Sequence, residues 1–375
     1  MPSTLKDNLD NLQNLARERT VKTQNIEFDL ETIIKRIEKG IIKLDPDYQR
    51  RHRWSDELSS RLIESLLLNI PVPVIYISQD VDVDEEADDD VARFTIIDGQ
   101  QRLTAIYRFM KGELELAGLE TLKAVNGLRY KQLPPFLLRR LDERTVKCLR
   151  IDSTLDPQVK YDIFERLNTG SVKLEAQELR NATTRGPFND ALKRMASDTN
   201  FRKMLQIPLD DPDSSAKVKK MEDLELVLRF FALRNGQYKD LSKGLKNFLT
   251  EKMDNFNHLS TDEIAEMEKE FKEHMSFLEH ALGSTSFAKY SVQNGKIIKR
   301  MSSFNAAVFD AVSVGAFDYF TRDQIKSKDP AAISRFQHHH LLFEDLDFFS
   351  AVSGATADTS KVKYRIEKMI EHLAQ

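Results

Sequence analysis

The sequence contains a single cysteine, Cys148, among 375 residues. One cysteine excludes an intramolecular disulfide and any zinc cluster built from cysteine ligands, and it suits a reducing compartment. Glycine and proline are also sparse, with 13 and 11 residues, which excludes collagen-like and low-complexity chains. Because 41% of the residues are hydrophobic and 31% are charged, the composition predicts a folded, helix-leaning protein of about two domains.

Long apolar segments are missing as well. The best candidate, residues 62–77, is interrupted by polar residues and two prolines, whereas a helix that crosses a bilayer needs roughly 20 apolar residues. The N-terminus mixes acidic and basic residues and lacks the apolar core of a signal peptide. The sequence therefore predicts a cytoplasmic protein that does not interact with a membrane.

The charge is unevenly placed along the chain. The net charge is −4, but residues 80–90 alone hold eight carboxylates and no basic residue, and without them the net charge would be +4. The overall charge therefore does not exclude a nucleic-acid partner. We interpret residues 80–90 as a solvated loop between two strands, in preference to a metal site or a DNA mimic.

The hydrophobic periodicity predicts an α+β protein with two structured regions. Residues 1–25 are a polar lead-in. Residues 26–185 alternate between helix and strand patterns, which predicts a domain with a small mixed sheet. Strand signals disappear after about residue 182, so residues 186–375 are expected to form an all-α helical domain.

The most specific motif is FTIIDGQQRLTAIYRFMKG, residues 94–112, which predicts a strand, a turn and a helix. Asp98 can cap this helix, and Gln101 can complete a capping box. Capping leaves Gln100 and Arg102 unexplained, because the helix dipole disfavours a cation in the first turn. A phosphate bound at the helix N-terminus would account for Arg102, with Asp98 holding a divalent cation or a water. Phosphate chemistry and a merely well-capped helix are the two alternatives.

A second motif is YDIFERLNTGSVKLEAQELRNA, residues 161–182. Its Asn168-Thr169-Gly170 turn brings together exposed N–H groups, an amide and a hydroxyl. The alternative is an ordinary helix stop at the glycine. By the same reasoning, Arg180 and Asn181 in the next helix are interpreted as surface residues.

A third motif is DPDYQRRHRW, residues 45–54. Its three arginines can pair with phosphates, and its aromatic residues can stack on bases. This pattern makes Arg51 and Arg53 candidate DNA-binding residues. The alternative is a solvated basic loop with Trp54 in the core.

The three motifs together resemble one family, the ParB/sulfiredoxin-like domain at the front of GmrSD-type modification-dependent restriction enzymes, also labelled domain of unknown function 262. The strings DPDYQRRHRW, IIDGQQRLTAIYRF and IFERLNTGSVKLEAQELRNA occur in the family's order, and DLELVLRFFALRNGQY and FNAAVFDAV are similar to its C-terminal part. The resemblance covers roughly residues 25–375. It implies nucleotide binding and hydrolysis at the DGQQR motif, usually in anti-phage defence.

Carried over by position, the resemblance implies a nucleotide site in one cleft, with Asp98 holding Mg²⁺ or another divalent cation. The candidate residues are Asp98, Gly99, Gln100, Gln101, Arg102 and Thr104 at the first motif, Arg166, Asn168, Thr169 and Gly170 at the second, and Tyr48, Gln49 and Arg50 at the third.

Larger relatives in this family carry a C-terminal HNH-type nuclease, and this chain is expected to lack it. None of its eight histidines lies in an HNH frame. His338, His339 and His340 are not expected to form a metal site, because consecutive helical residues diverge by about 100°. A Walker A loop and a Gly-x-Gly-x-x-Gly sequence are also missing.

Three functional hypotheses follow. The first is a metal-dependent nucleoside triphosphate phosphohydrolase with a DNA-related defence function, in which Asp98, Gln100, Gln101 and Arg102 are catalytic. The second is a module that senses a nucleotide or modified DNA without turnover and works with a separate nuclease or defence protein. The third is a ParB-like DNase. It is the least favoured, because one carboxylate is too few ligands for a two-metal site. The sequence leaves the oligomeric state open, with a dimer plausible.

Overall fold

A computed structural model describes residues 22–44, 54–79, 94–151, 163, 166, 175–184, 186–242 and 244–375. The chain divides into two compact units, Met1–Lys173 and Leu174–Gln375, and each has its own hydrophobic core. The predicted α+β class is confirmed, with a mixed sheet in the first unit and mainly helices in the second. None of the helices in these ranges is both long enough and apolar enough to cross a bilayer.

The first unit contains a five-stranded mixed sheet with the order β1-β5-β3-β4-β2. Strand β1 pairs antiparallel with β5, β5 parallel with β3, β3 antiparallel with β4, and β4 parallel with β2. The strands are β1 (Thr23–Asp29), β2 (Ile42–Lys43), β3 (Ile75–Gln79), β4 (Phe94–Asp98) and β5 (Thr145–Ile151), and the helices are α1 (Leu30–Glu38), α2 (Asp56–Leu67), α3 (Gln100–Met110) and α4 (Pro135–Asp142).

Local sequence signals explain where the helices of this unit begin and how they pack. Asp29 caps α1 by accepting a hydrogen bond from the N–H of Thr32 at 2.7 Å, and Ser55 caps α2. The apolar face of α3, with Leu103 and Phe109, is buried in the core. Cys148 lies in this core too, and its burial raises the pKa of the thiol to about 11, so the thiol remains protonated at neutral pH.

The second unit is built mainly from helices, with a π-helical segment, Asp310–Val314, between two of them. The helices are α5 (Ala176–Thr183), α6 (Pro187–Ala196), α7 (Thr199–Met204), α8 (Ala216–Lys219), α9 (Glu222–Leu233), α10 (Leu245–Asn257), α11 (Thr261–Leu282), α12 (Ala306–Phe309), α13 (Gly315–Tyr319), α14 (Arg322–Ser327), α15 (Pro330–Ser334), α16 (Leu346–Ala351) and α17 (Thr359–Ala374).

The expectation that strands end after about residue 182 is wrong, because the second unit also contains a β-hairpin. Strands β6 (Lys289–Gln293) and β7 (Lys296–Ser302) pair antiparallel around a two-residue turn. The turn residues Asn294 and Gly295 have φ values of 50° and 74°. Two consecutive positive φ angles are what a tight hairpin turn requires, and Asn-Gly is the strongest short sequence signal for one.

The interpretation of Arg180 and Asn181 as surface residues is also wrong, because both are buried. The guanidinium of Arg180 donates from Nη1 to Gln177 Oε1 and to Glu225 Oε2, each at 3.0 Å. The side chain of Asn181 accepts a hydrogen bond from Asn189 Nδ2 at 3.0 Å. Polar residues are buried here because α5 meets polar partners distant in sequence, and a single-sequence pattern does not reveal such partners.

A network of charged side chains extends from the partly buried Glu225 to the C-terminal helix. Glu225 lies 3.7 Å from Arg229 through Oε1 and Nη1, and Arg229 Nε donates to Asp310 Oδ1 at 3.0 Å. Arg365 on α17 donates to Asp310 Oδ2. Asp310, at the start of the π-helical segment, therefore joins α9 to α17 through two guanidinium groups.

Candidate functional site

The DGQQR motif lies where β4 passes into α3. Strand β4 ends at Asp98, α3 begins at Gln100, and Gly99 between them is the N-cap residue, with φ 100° and ψ 10°. A Cβ atom on Gly99 would lie 3.0 Å from Ile75 Cγ1 and 3.3 Å from Arg102 Nη2. The left-handed backbone and this close packing both favour glycine.

The start of α3 has no side-chain cap. The predicted capping box of Asp98 and Gln101 is therefore wrong, because Gly99 and not Asp98 occupies the N-cap position. The first intrahelical hydrogen bond runs from the N–H of Leu103 to the carbonyl of Gly99 at 2.9 Å. The three preceding N–H groups, of residues 100–102, make no hydrogen bond with a described residue, as at any helix start without a side-chain cap, and such N–H groups can bind an anion.

Three buried side-chain atoms near this helix start have no hydrogen-bond partner in the described part of the chain. They are Gln100 Nε2, Gln101 Oε1 and the hydroxyl of Thr104. Thr104 as a whole is only 2% exposed. A buried polar atom without a partner costs about 1–3 kcal/mol. Three of them within five residues make this helix start a candidate ligand site, because ligand atoms can complete the hydrogen bonding.

Arg102 does not extend into solvent, since the residue is only 9% exposed. Its Nη2 donates to Asp98 Oδ2, and its Nη1 donates to the carbonyl oxygens of Pro73 at 2.5 Å and Val74 at 3.2 Å. The sequence argument placed this guanidinium opposite a phosphate. In the structure both Nη atoms are engaged within the protein, and the i, i+4 spacing explains the pairing with Asp98. This geometry makes Arg102 a residue that positions Asp98.

The carbonyl partners of Arg102 were not identified from the sequence. Residues 71–74 read Pro-Val-Pro-Val, and proline interrupts backbone pairing because it has no N–H group. A proline-interrupted segment directly before a strand is the sequence signal that could have indicated free carbonyls close to β3.

Asp98 is the candidate metal ligand at this site. Its Oδ2 is bound to Arg102, whereas its Oδ1 has no described hydrogen-bond partner. Within the described ranges no group of three or more His, Cys, Asp or Glu side chains could hold a metal ion. A single carboxylate fits Mg²⁺ when substrate phosphates and waters supply the other ligands, as they do in many nucleotide sites.

The remaining candidate residues are only partly described. Arg166 is helical and exposed. Trp54 packs against the core of the first unit, in agreement with its core interpretation. The other candidates lie outside the described residues, namely Tyr48, Gln49, Arg50, Arg51, Arg53, Asn168, Thr169 and Gly170.

Comparison with known proteins identifies one family. Residues 30–184 match the family model described as GmrSD restriction endonuclease, N-terminal domain, and the matched range includes β4, Gly99 and α3. No curated protein and no solved structure matches the chain significantly. The resemblance inferred from the sequence motifs is confirmed over this range, since residues 30–184 match the model of the GmrSD restriction endonuclease N-terminal domain.

Proposed function

We propose that the start of α3 binds the phosphate groups of a nucleoside triphosphate and that the neighbouring side chains support its hydrolysis. The family match indicates a DNA-related restriction function, which nucleotide hydrolysis would serve. One observation carries the proposal: an uncapped helix N-terminus coincides with three unpartnered buried polar atoms.

The free N–H groups of residues 100–102 and the helix dipole provide a positive electrostatic environment for phosphate oxygens. The amide nitrogen of Gln100 adds a donor, and the hydroxyl of Thr104 can donate or accept. The side-chain oxygen of Gln101, Oε1, can only accept a hydrogen bond, and an acceptor of this kind can orient an attacking water. The three atoms thus supply the donor and acceptor types that phosphoryl transfer to water needs.

Arg102 fixes the orientation of Asp98 and leaves Oδ1 of that carboxylate for a water or a cation. Mg²⁺, when bound, would neutralise phosphate charge and be held by Asp98 together with the phosphates. The two backbone carbonyls that accept from Arg102 prevent its guanidinium from rotating away. A carboxylate held in this way can orient a nucleophile without reorganisation.

A second function is a nucleotide sensor without turnover, acting with a separate nuclease. The engagement of Arg102 favours it, because both Nη atoms are already paired and the described part of the site offers no second arginine to neutralise charge that develops during phosphoryl transfer. In that case the same atoms bind the nucleotide and no phosphate is released.

Replacing Thr104 by valine tests the site without disturbing the fold. The two side chains have nearly the same shape, and removal of an unpartnered hydroxyl is expected to leave the free energy of unfolding unchanged or slightly higher. The affinity for ATP or GTP with Mg²⁺ is expected to fall about 10-fold or more, because a hydrogen bond to a charged phosphate is lost. Isothermal titration and thermal unfolding measure the two effects.

Ser78→Ala is the matched control for this variant. The hydroxyl of Ser78 is also buried and has no described partner. Ser78 lies on β3, however, and pairs with Thr95, which precedes Asp98 by three residues on β4. Its removal is expected to leave nucleotide affinity unchanged. Equal nucleotide affinity of the wild type and Thr104→Val would show that Thr104 does not contact the nucleotide. Binding by the wild type without release of phosphate would identify the sensor instead of the hydrolase.

A further inference from the structure

Strand β7 presents an unusual run of exposed residues. Residues 296–301 are all exposed, on both faces of the strand. Three of them are large and apolar, Ile297, Ile298 and Met301, with exposures of 47%, 61% and 50%. Ile297 lies opposite Val292 on β6, whereas Ile298 and Met301 lie where the register between β6 and β7 shifts. The exposed apolar surface is therefore spread along the strand, and exposed apolar surface of this extent marks a candidate interaction site.

The outer edge of β7 is unpaired. Its other edge pairs with β6, and no further strand among the described residues joins this two-stranded sheet. Strand β6 is anchored, since Lys289 and Val292 are buried and the ring of Tyr290 packs edge-on against Phe343 with centroids 5.7 Å apart. An unpaired edge of this type has free N–H and C=O groups that can pair with another extended chain.

The tip of the hairpin is held in place. The N–H of Gly295 donates to Glu344 Oε1 at 2.7 Å, and the side chain of Leu341 lies beside the turn. Leu341 is 37% exposed and extends the exposed apolar surface next to it. Because the edge is already ordered, a partner strand would lose little of its binding energy to ordering β7.

The positive charge of β7 indicates the charge of a partner that could bind there. Lys296, Lys299 and Arg300 are exposed and make no ion pair with a described residue. Edge lysines often protect against aggregation, but a protective strand would not also expose three large apolar side chains. Antiparallel pairing with a second copy of β7 would bring cations of the two strands close together, which is destabilising. An acidic partner avoids this repulsion.

We propose that β7 is a docking edge for an extended acidic segment of a partner protein, which adds to the hairpin as a third strand. Backbone hydrogen bonds along the free edge supply affinity, and side chains at alternate positions supply specificity. Carboxylates on one face of the partner strand pair with Lys296 and Lys299, while apolar side chains on its other face cover Ile297. This docking is independent of the nucleotide site in the first unit.

The test measures binding of fluorescent seven-residue peptides to the full chain by anisotropy. An alternating Glu-Val peptide is expected to bind, and the variant K296E/K299E/R300E is expected to weaken this binding at least 10-fold. The same variant should gain binding of an alternating Lys-Val peptide. The matched control K219E/K269E/K272E carries an equal charge change on exposed residues of α8 and α11 and should bind the Glu-Val peptide as the wild type does.

Two further probes separate strand pairing from simple charge attraction. A Glu-Pro alternating peptide has the same number of carboxylates but lacks the N–H group at every second position, which interrupts a hydrogen-bonded ladder. Equal binding of this peptide would overturn the proposal. Failure of the Glu-Val peptide to bind would also overturn it. If a 20-base-pair duplex DNA binds β7 and the acidic peptide does not, the surface is a nucleic-acid contact.

Discussion

Replacing Asp310 by asparagine is expected to lower the free energy of unfolding by about 3–5 kcal/mol, the usual cost of breaking a buried ion pair on one side. Asp310 is fully buried and accepts hydrogen bonds from both Arg229 and Arg365. An amide would leave these two buried guanidinium groups without a counter-charge. Urea denaturation of wild type and variant at pH 7 measures the difference.

The pH dependence of this difference identifies the carboxylate as its source. Burial alone would raise the pKa of Asp310, but Arg229 and Arg365 outweigh burial and hold the pKa below its ordinary value of 3.8. A lowered pKa stabilises the folded state above the unfolded pKa, and this contribution is lost as the pH falls through the folded pKa. The gap between wild type and Asp310→Asn should therefore be constant from pH 8 to pH 5 and shrink only in stronger acid.

Glu371→Gln is the control, because it changes a carboxylate in an exposed ion pair of the same unit. Lys368 Nζ donates to Glu371 Oε2 at 2.9 Å, and the side chain of Glu371 is mostly in solvent. Exposed pairs contribute at most about 1 kcal/mol, so this variant should unfold almost as the wild type does. A cost for Asp310→Asn no larger than that of Glu371→Gln would show that the buried triad does not stabilise the second unit.

Replacing Asp98 by asparagine is expected to reduce nucleotide hydrolysis at least about 100-fold, in the range typical for loss of a general base. The amide oxygen can still accept a hydrogen bond from Arg102, so the free energy of unfolding should change by only about 1–2 kcal/mol. The negative charge that would orient the nucleophile or hold Mg²⁺ is lost. Phosphate release at saturating ATP or GTP measures the effect on turnover, and thermal unfolding confirms that the fold is kept.

Asp56→Asn provides the matched control for Asp98. Asp56 Oδ1 pairs with Arg108 Nη1 at 3.0 Å, so both substitutions alter an aspartate–arginine pair in the same unit. Asp56 lies at the start of α2, and its substitution should leave phosphate release unchanged. Wild-type turnover by Asp98→Asn would contradict the catalytic role of Asp98 and leave only binding at this site.

The parts of the fold that depend on neighbouring residues could be predicted from the sequence. The caps of α1 and α2 follow from Asp29 and Ser55, and the strand–turn–helix around Gly99 follows from the apolar pattern that ends there. The exact N-cap was misplaced by one residue, because the left-handed conformation of Gly99 depends on its packing against Ile75. The β6–β7 hairpin could have been predicted, since Asn294-Gly295 is a local signal.

The buried polar networks could not be predicted, because their partners are far apart in the chain. Arg229 and Asp310 are 81 residues apart, and Asp310 and Arg365 are 55 apart. Single-sequence patterns classify charged residues as exposed unless a partner is known. The same limitation applies to Arg102: its charge and position indicated an anion, but the carbonyls that it contacts belong to residues 29 and 28 positions earlier in the chain.

The proposed nucleotide site is tested most directly by the amide resonances of residues 100–102 during titration with a non-hydrolysable ATP or GTP analogue and Mg²⁺. Phosphate binding at the start of α3 predicts large shifts of these three signals, with no change at the N-terminus of α1, where Asp29 already accepts from Thr32. Saturation with the analogue while the signals of residues 100–102 stay in place would contradict phosphate binding at this helix.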